Sequence, residues 1–254
     1  AIDLFLACAG KDLLTLPLAI LAAEANSINP ISSIYVVVPD HDRVEATRQM
    51  AEVLDRETLD RVSMSVDSDW VSVKTMSNLR QCFGNRLGWI LQQLITTNFV
   101  LKSGSPGVLV MNSDTVLTRP KLFLDRKGNQ ILHRSSEFNE PYYRYLKTLD
   151  IGLNVGSSHV THHMLMQPEL LRAVMRHIGF ESIEALASSV IQYSSNTGQQ
   201  EFCLEFELYA QFVKQLFPER IVEVKFGNIS VSRSSDLAEL ERQASQIARA
   251  NKFN

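Results

Sequence analysis

The chain has 254 residues, 45% of them hydrophobic and 21% charged, and its formal net charge is -3. This composition is typical of a globular protein, and the lack of a basic arm in the sequence disfavours a nucleic-acid partner. The longest apolar segment, residues 13–23, is shorter than the roughly 20 residues that a membrane span needs. We therefore expect no transmembrane segment.

The three cysteines, Cys8, Cys82 and Cys203, are far apart in the sequence and do not have the spacing of a metal site. We expect them to be buried thiols in a reducing compartment, which indicates a cytoplasmic protein. Peripheral contact with the inner face of the membrane stays open, and so does the oligomeric state.

Alternating strand and helix patterns in the first half of the chain predict a parallel sheet. A strand over 2–7, a helix over 13–25 with Asp12 as its N-cap, and a strand over 34–38 form the beginning of a βαβ unit. The other predicted elements are helices over 43–54, 85–98, 168–178, 182–193 and 199–217, strands over 62–66, 108–111 and 221–226, a hairpin of 122–124 with 130–132, and a terminal helix with a capping box from Asp236 to Glu239. We expect one domain, residues 1–254.

A polar triplet, Asn112-Ser113-Asp114, directly follows the apolar strand 108–111. The strand is expected to end at the carboxyl edge of the sheet, where open α/β folds bind ligands. Since strand residues alternate faces, Asn112 and Asp114 are predicted to lie on one side, where they could hold a hard cation and a diphosphate. An ordinary polar turn is the alternative, because these side chains also bind their own backbone.

Two adjacent histidines, His162 and His163, are candidate metal ligands. On a strand they face opposite ways, so only one of them could share a site with Asp114. Neutral imidazole binds Mn²⁺ better than Mg²⁺. The alternative is a core histidine bonded to a backbone carbonyl.

Two glutamates on the predicted helix 199–217 are candidates for acid–base chemistry. Glu205 lies at the edge of the apolar stripe of this helix, whereas Glu207 lies on the far side. Partial burial raises the pKa of a carboxyl group, which would suit a general base. The alternative is the charged flank of an amphipathic helix.

Two further segments could contact a nucleotide. Trp89, Gln92 and Gln93 share one predicted helix, although such a face is more often an ordinary helix surface. Lys11 and Asp12 lie in the loop after the first strand, where doubly wound folds meet a nucleotide. This loop has neither the glycine pattern of a dinucleotide site nor a P-loop.

Five segments together resemble a known family. They are Asp3-Leu4-Phe5 with Lys11-Asp12, Gly88-Trp89-x-x-Gln92-Gln93, Val110-Met111-Asn112-Ser113-Asp114-Thr115-Val116, Val160-Thr161-His162-His163-Met164 and Glu205-Phe206-Glu207-Leu208-Tyr209. Their order resembles the bacterial GT-A-type glycosyltransferases catalogued as the domain of unknown function DUF6492, over roughly residues 2–226. The resemblance implies an α/β GT-A fold, a Rossmann-like nucleotide-binding sandwich with a mainly parallel central sheet and a helix-rich C-terminal half.

The resemblance also implies an activity, namely metal-assisted sugar transfer from a nucleotide-sugar donor, with UDP favoured, to a glycan or glycolipid acceptor in bacterial surface polysaccharide synthesis. The implied ligands of a divalent metal, Mn²⁺ or Mg²⁺, are Asp114, Asn112, His162 and His163. The implied donor-binding residues are Lys11, Asp12, Asp40, Trp89, Gln92, Gln93, Asn112 and Ser113. Glu205 or Glu207 is the implied general base if the reaction inverts the anomeric centre.

One departure from the family pattern affects these expectations. Asn112 stands where the motif has an aspartate, and its neutral amide predicts weaker metal binding or a metal held by Asp114 alone. A nucleotidyltransferase is a second hypothesis, disfavoured because no glycine-rich basic phosphate loop occurs near the start of the sequence. A protein of the same fold that binds sugar or nucleotide without turnover is the third.

Overall fold

The structure is a computed structural model that describes residues 1–229 and, beyond them, positions 239, 242, 243, 245 and 246. The predicted capping box at Asp236 lies outside the described residues. The strands are β1 Ile2–Ala7, β2 Ile31–Val38, β3 Val62–Val66, β4 Val108–Asn112, β5 Gln130–Arg134, β6 His163–Met166 and β7 Ile221–Lys225. The helices are α1 Leu16–Asn26, α2 Arg43–Val53, α3 Arg56–Leu59, α4 Val73–Phe83, α5 Leu87–Lys102, α6 Glu140–Leu149, α7 Pro168–His177, α8 Ile183–Thr197 and α9 Phe206–Leu216.

The central sheet is mainly parallel, as predicted. Within the described residues it has five strands in the order β3, β2, β1, β4, β6. The pairs β1–β2, β1–β4 and β2–β3 are parallel, and β6 is antiparallel to β4. The carboxyl ends of β1, β2, β3 and β4 therefore lie at the same edge of the sheet, where such folds bind ligands.

The central strands are buried on both faces. Phe5, Val108 and Val110 belong to one hydrophobic cluster, which includes residues of α5, α8 and α9. Leu4 and Leu109, which alternate with them, belong to a second cluster that includes residues of α1 and α2. This burial accounts for the continuous apolar sequence of β1 and β4.

Gly107, just before β4, allows a close approach between strands. A Cβ atom at this position would lie 2.9 Å from Cδ1 of Leu165 on β6. The missing side chain thus lets β6 pair with β4, and β6 in turn brings His162 to the end of β4.

Several predicted elements are wrong or displaced. α4 and α6 were not predicted, and α9 begins at Phe206, seven residues later than expected. The backbone N–H of Leu204 is bound by the side chain of Gln93 instead of a helical carbonyl, so tertiary contacts replace the first turns. Asp12 is not the N-cap of α1, because it lies in a short 3-10 helix and Thr15 is the N-cap.

The predicted hairpin is confirmed only at its turn. An antiparallel bridge joins Leu124 and Gln130, and Gly128 has a φ of 83° between them. The strand partner of β5 is β7, which runs parallel to it. Within the part of the chain that the structure describes, no helix is long and apolar enough to cross a membrane.

Candidate active site

The polar triplet lies at the carboxyl edge of the central sheet, beside the end of β1. Asn112 is the last residue of β4 and pairs with Ala7, the last residue of β1. The chain then turns, and the N–H of Thr115 donates to the carbonyl of Asn112 at 3.0 Å. The strand ends before Asp114, so the turn and not strand alternation sets the position of Asp114 relative to Asn112.

The loop after β1 is joined to this turn. The hydroxyl of Thr15 lies 2.9 Å from the carbonyl oxygens of both Asp12 and Ser113. Burial raises the pKa of the nearby Cys8 to about 12, and the negative charges of Asp12, Asp42 and Asp114 add to the increase. Carboxylates from the loops after β1, β2 and β4 therefore lie close enough to the Cys8 thiol to raise its pKa.

Asp42, which the sequence did not single out, is the residue of the Asp40-His41-Asp42 triplet that lies against the loop. A Cβ atom at Gly10 would be 3.2 Å from Oδ1 of Asp42. Asp40 is exposed. Lys11 is also exposed, and its Nζ lies 3.6 Å from Oδ2 of Asp12, so a cation borders the acidic edge.

His162 is the histidine that reaches the triplet. Nδ2 of Asn112 donates to Nδ1 of His162 at 3.1 Å, and the backbone N–H of Asn112 donates to the His162 carbonyl at 2.9 Å. His162 has a φ of 60°, an uncommon conformation for a residue other than glycine. Its Nε2 lies 3.4 Å from Oε2 of Glu137, a second residue that the sequence did not single out.

The structure places the side chain of His163, the other predicted metal ligand, in the core and not at the triplet. Its side chain is buried, and its ring lies 5.1 Å from that of His133 and 4.8 Å from that of Phe226. Burial lowers the pKa of His163 well below its ordinary value. Because β6 begins at His163, its side chain enters the core while His162 remains at the edge.

The donor atoms fit a metal that arrives with a diphosphate, and they do not fit one held by the protein alone. In the described ranges no three His, Cys, Asp or Glu residues lie together as a metal site. The edge offers the exposed carboxylate of Asp114, the amide oxygen of Asn112 and the imidazole of His162. Hard cations in nucleotide sites commonly use one or two carboxylates together with substrate phosphates.

The helix α5 borders the triplet with Gln92. Its Nε2 lies 3.5 Å from Oδ1 of Asn112. The side chain of Gln93 is buried, and it bonds the Trp89 carbonyl at 3.2 Å and the Leu204 N–H at 2.7 Å instead of facing the triplet. Trp89 remains partly exposed on the same helix.

Glu205, just before α9, is a buried carboxyl group with incomplete hydrogen bonding. Its Oε2 finds no hydrogen-bond partner within the described residues. Burial raises the pKa of Glu205 to about 7, although a hydrogen bond with Thr96 opposes the increase. Thr96 lies one helical turn after Gln92 on α5, so Glu205 contacts the helix that borders the triplet.

Glu207, the other candidate general base, lies in a buried hydrogen-bond network. It is fully buried, and its Oε1 accepts hydrogen bonds from Tyr143 at 2.9 Å, Ser158 at 2.8 Å and the backbone of His159 at 2.7 Å. Its Oε2 accepts from Gln211 at 2.8 Å. Burial alone would raise the pKa of Glu207, but hydrogen bonds from His159 and Gln211 outweigh it and lower the pKa. These bonds join α9 to α6 and to the segment before β6.

No family model and no curated protein matches the chain. Among solved structures, the mannosyltransferase Ktr4p from S. cerevisiae aligns with a TM-score of 0.51 and 11% identity, covering 87% of this chain and 67% of that one. Glucosyl-3-phosphoglycerate synthase from Mycobacterium tuberculosis aligns with a TM-score of 0.49 and 13% identity, covering 97% and 77%. At such identity the likeness shows the fold alone. The predicted GT-A fold is confirmed.

Proposed function

We propose that this protein is a glycosyltransferase that moves a sugar from a nucleotide-sugar donor, with UDP favoured, to a glycan or glycolipid acceptor. The observation that supports it most is the junction between the loop after β1 and the triplet after β4, on a GT-A fold. Thr15 makes this junction through the carbonyls of Asp12 and Ser113. A role in bacterial surface polysaccharide synthesis is supported by the sequence resemblance.

The donor diphosphate would bind at the turn after β4. Asp114 and the amide oxygen of Asn112 would hold a divalent cation, Mn²⁺ or Mg²⁺, with His162 beside them. When bound, such an ion neutralises the negative charge that grows on a leaving diphosphate. Lys11 supplies positive charge on the other side of the loop, and Gln92 orients the Asn112 amide.

Glu205 is the proposed acid–base residue. In an inverting transfer, the acceptor hydroxyl attacks the anomeric carbon, its proton passes to the Glu205 carboxylate, and the bond from that carbon to the diphosphate breaks. A pKa raised to about 7 by burial lies near neutrality, which suits a group that must take up a proton. A retaining outcome, measured on the product by NMR, would exclude this role.

Asp114→Ala is expected to lower nucleoside diphosphate release from UDP-sugars roughly 10- to 100-fold, since Asn112 and water would still bind part of a metal ion. The measurement is the release of UDP, GDP or ADP from the corresponding nucleotide-sugars in the presence of Mn²⁺. Asp60→Ala is the matched control, because the Asp60 side chain is 73% exposed on another surface. Equal turnover by Asp114→Ala and wild type, or release of pyrophosphate instead, would contradict the proposal.

A further inference from the structure

A partly exposed aromatic pair lies one helical turn from the proposed donor site. Trp89 is three residues before Gln92 on α5, and residues at this spacing are neighbours on a helix. The ring of Tyr142, on α6, lies 6.1 Å from the Trp89 ring with 35° between the planes. Both residues are partly exposed. The pair therefore presents flat apolar surface close to the residues that would bind the diphosphate.

A polar rim borders this aromatic pair. Oε1 of Glu201 accepts from Arg86 at 3.1 Å, and Oε2 accepts from Asn139 at 3.0 Å. The guanidinium of Arg86 lies 5.6 Å from the centre of the Trp89 ring. A hydrogen bond also links the phenol of Tyr142 to Asn139. The rim thus holds carboxylate, amide and phenol groups in fixed positions around the rings.

The rim is connected to the triplet by a second route besides α5. Glu137, two residues before Asn139, lies 3.4 Å from His162 through its carboxylate. His162 in turn contacts the Asn112 amide at 3.1 Å. The aromatic pair, the rim and the triplet therefore border the same part of the surface, and a sugar on the rings would lie beside a donor on the triplet.

We propose that Trp89 and Tyr142, with the rim of Arg86, Asn139 and Glu201, form the acceptor subsite and that the acceptor is an uncharged saccharide. This inference rests on the proposed function. A hexose has an apolar C–H face that suits aromatic rings, and hydroxyls that suit carboxylates and amides.

The charges of the rim favour an uncharged acceptor over an anionic one. Burial raises the pKa of Tyr142, and the charges of two carboxylates, Glu201 in the rim and Glu137 beside it, add to the increase. The guanidinium of Arg86 is already paired with Glu201. A phosphate or carboxylate on the acceptor would meet like charge, which an interface disfavours. Trp89, predicted from the sequence to bind the donor, is thereby assigned to the acceptor.

Fluorine NMR tests this inference on the whole chain. The sequence has two tryptophans, so protein labelled with fluorotryptophan gives two resonances, which Trp89→Phe assigns. Methyl glucoside, methyl mannoside and lactose are the neutral probes, and glucuronate and glucose phosphate are the anionic ones, each added with UDP present. Trp70, whose indole bonds the hydroxyl of Ser65 at 2.8 Å, is the internal control.

We expect a neutral saccharide to shift the Trp89 resonance saturably and to leave the Trp70 resonance in place. Tyr142→Ala should raise the half-saturating concentration roughly five- to tenfold, which is the usual worth of one aromatic contact. Glu201→Gln should reduce the discrimination against the anionic probes. UDP stabilisation should persist in Trp89→Phe and in Tyr142→Ala.

Three results would overturn the inference: tighter binding of the anionic probes, no shift with any neutral probe, or loss of UDP stabilisation in Trp89→Phe. Loss of UDP stabilisation in Trp89→Phe would mean that the Trp89 ring binds the donor and not the acceptor. Failure of the proposed function has a separate signature, because the wild-type protein would then not be stabilised by any nucleotide. If UDP binds and neutral saccharides do not, the acceptor subsite alone is wrong.

Discussion

Replacing Glu205 by glutamine is expected to stabilise the protein at pH 8 and to lower sugar transfer by about 10²- to 10⁴-fold, the usual contribution of a general base. The two effects have one cause, a carboxyl group that is buried at a free-energy cost. Its pKa is raised from 4.5 to about 7 by burial. Groups with such displaced pKa values concentrate at functional sites, where stability is sacrificed for chemistry.

The sign of the stability effect follows from proton linkage. Below pH 4.5 the Glu205 carboxyl is protonated in both states, and the folded state keeps all of its stability. Between pH 4.5 and about 7 the unfolded chain has lost this proton while the folded chain retains it, so the free energy of unfolding falls as the pH rises. Above this window the loss is on the order of 3 kcal/mol, and a neutral glutamine avoids it.

Urea unfolding of the wild type and of Glu205→Gln from pH 4 to pH 9 measures this difference. Glu219→Gln is the control, because Glu219 is exposed. If Glu205→Gln tracks the wild type across the pH range, the carboxyl is ionised and solvated in the folded state. A stabilised variant that keeps full transfer activity would refute the catalytic role while leaving the burial intact.

Glu207→Ala is expected to destabilise the protein by about 3–5 kcal/mol, the cost of breaking a buried charged network. The alanine would leave the hydroxyls of Tyr143 and Ser158, the amide of Gln211 and the backbone N–H of His159 without their carboxylate acceptor. Glu205 and Glu207 are two residues apart, yet substitution should change stability in opposite directions. Both carboxylate oxygens of Glu207 accept hydrogen bonds, whereas Oε2 of Glu205 has no partner among the described residues.

Glu207→Gln is the matched variant, since its amide oxygen can still accept from Tyr143, Ser158 and His159. Its amide nitrogen would face the Gln211 amide, so we expect an intermediate loss of stability. Chemical unfolding at pH 7 ranks the three proteins. A Glu207→Ala variant within about 1 kcal/mol of the wild type would be hard to reconcile with this network, because removing one buried charged partner usually costs more.

The sheet and its edge were predictable because they depend on local patterns. The apolar runs of β1 and β4 and the polar triplet after β4 placed Asn112 and Asp114 at a ligand-binding edge. The choice between His162 and His163 was not predictable, since it depends on the residue at which β6 begins. A shift of one residue along a strand exchanges the buried and the exposed side chain.

The surroundings of Glu205 and Glu207 and the positions of the rim residues were not predictable, because they depend on tertiary contacts. The side chain of Gln93 binds the N–H of Leu204, so the residues just before Phe206 are not helical and α9 begins later than its sequence pattern indicates. This changes the surroundings of Glu205 and Glu207. Glu137 precedes α6, whose aromatic sequence and early Pro141 hid its helical period. Glu137 lies beside His162 because of tertiary packing, which the spacing of residues in the sequence does not predict.

The central claim is tested most directly by thermal-shift titration with UDP, GDP, CMP and ADP, each with and without Mn²⁺. A ligand that binds only the folded state raises the free energy of unfolding by mass action, by about 2.7 kcal/mol at a hundredfold excess over its Kd, and so raises the melting temperature. We predict stabilisation by one nucleotide, UDP foremost, that requires Mn²⁺ and is lost in Asp114→Ala but retained in Asp60→Ala. No stabilisation by any nucleotide would contradict the account and make a non-catalytic protein of the same fold the better description.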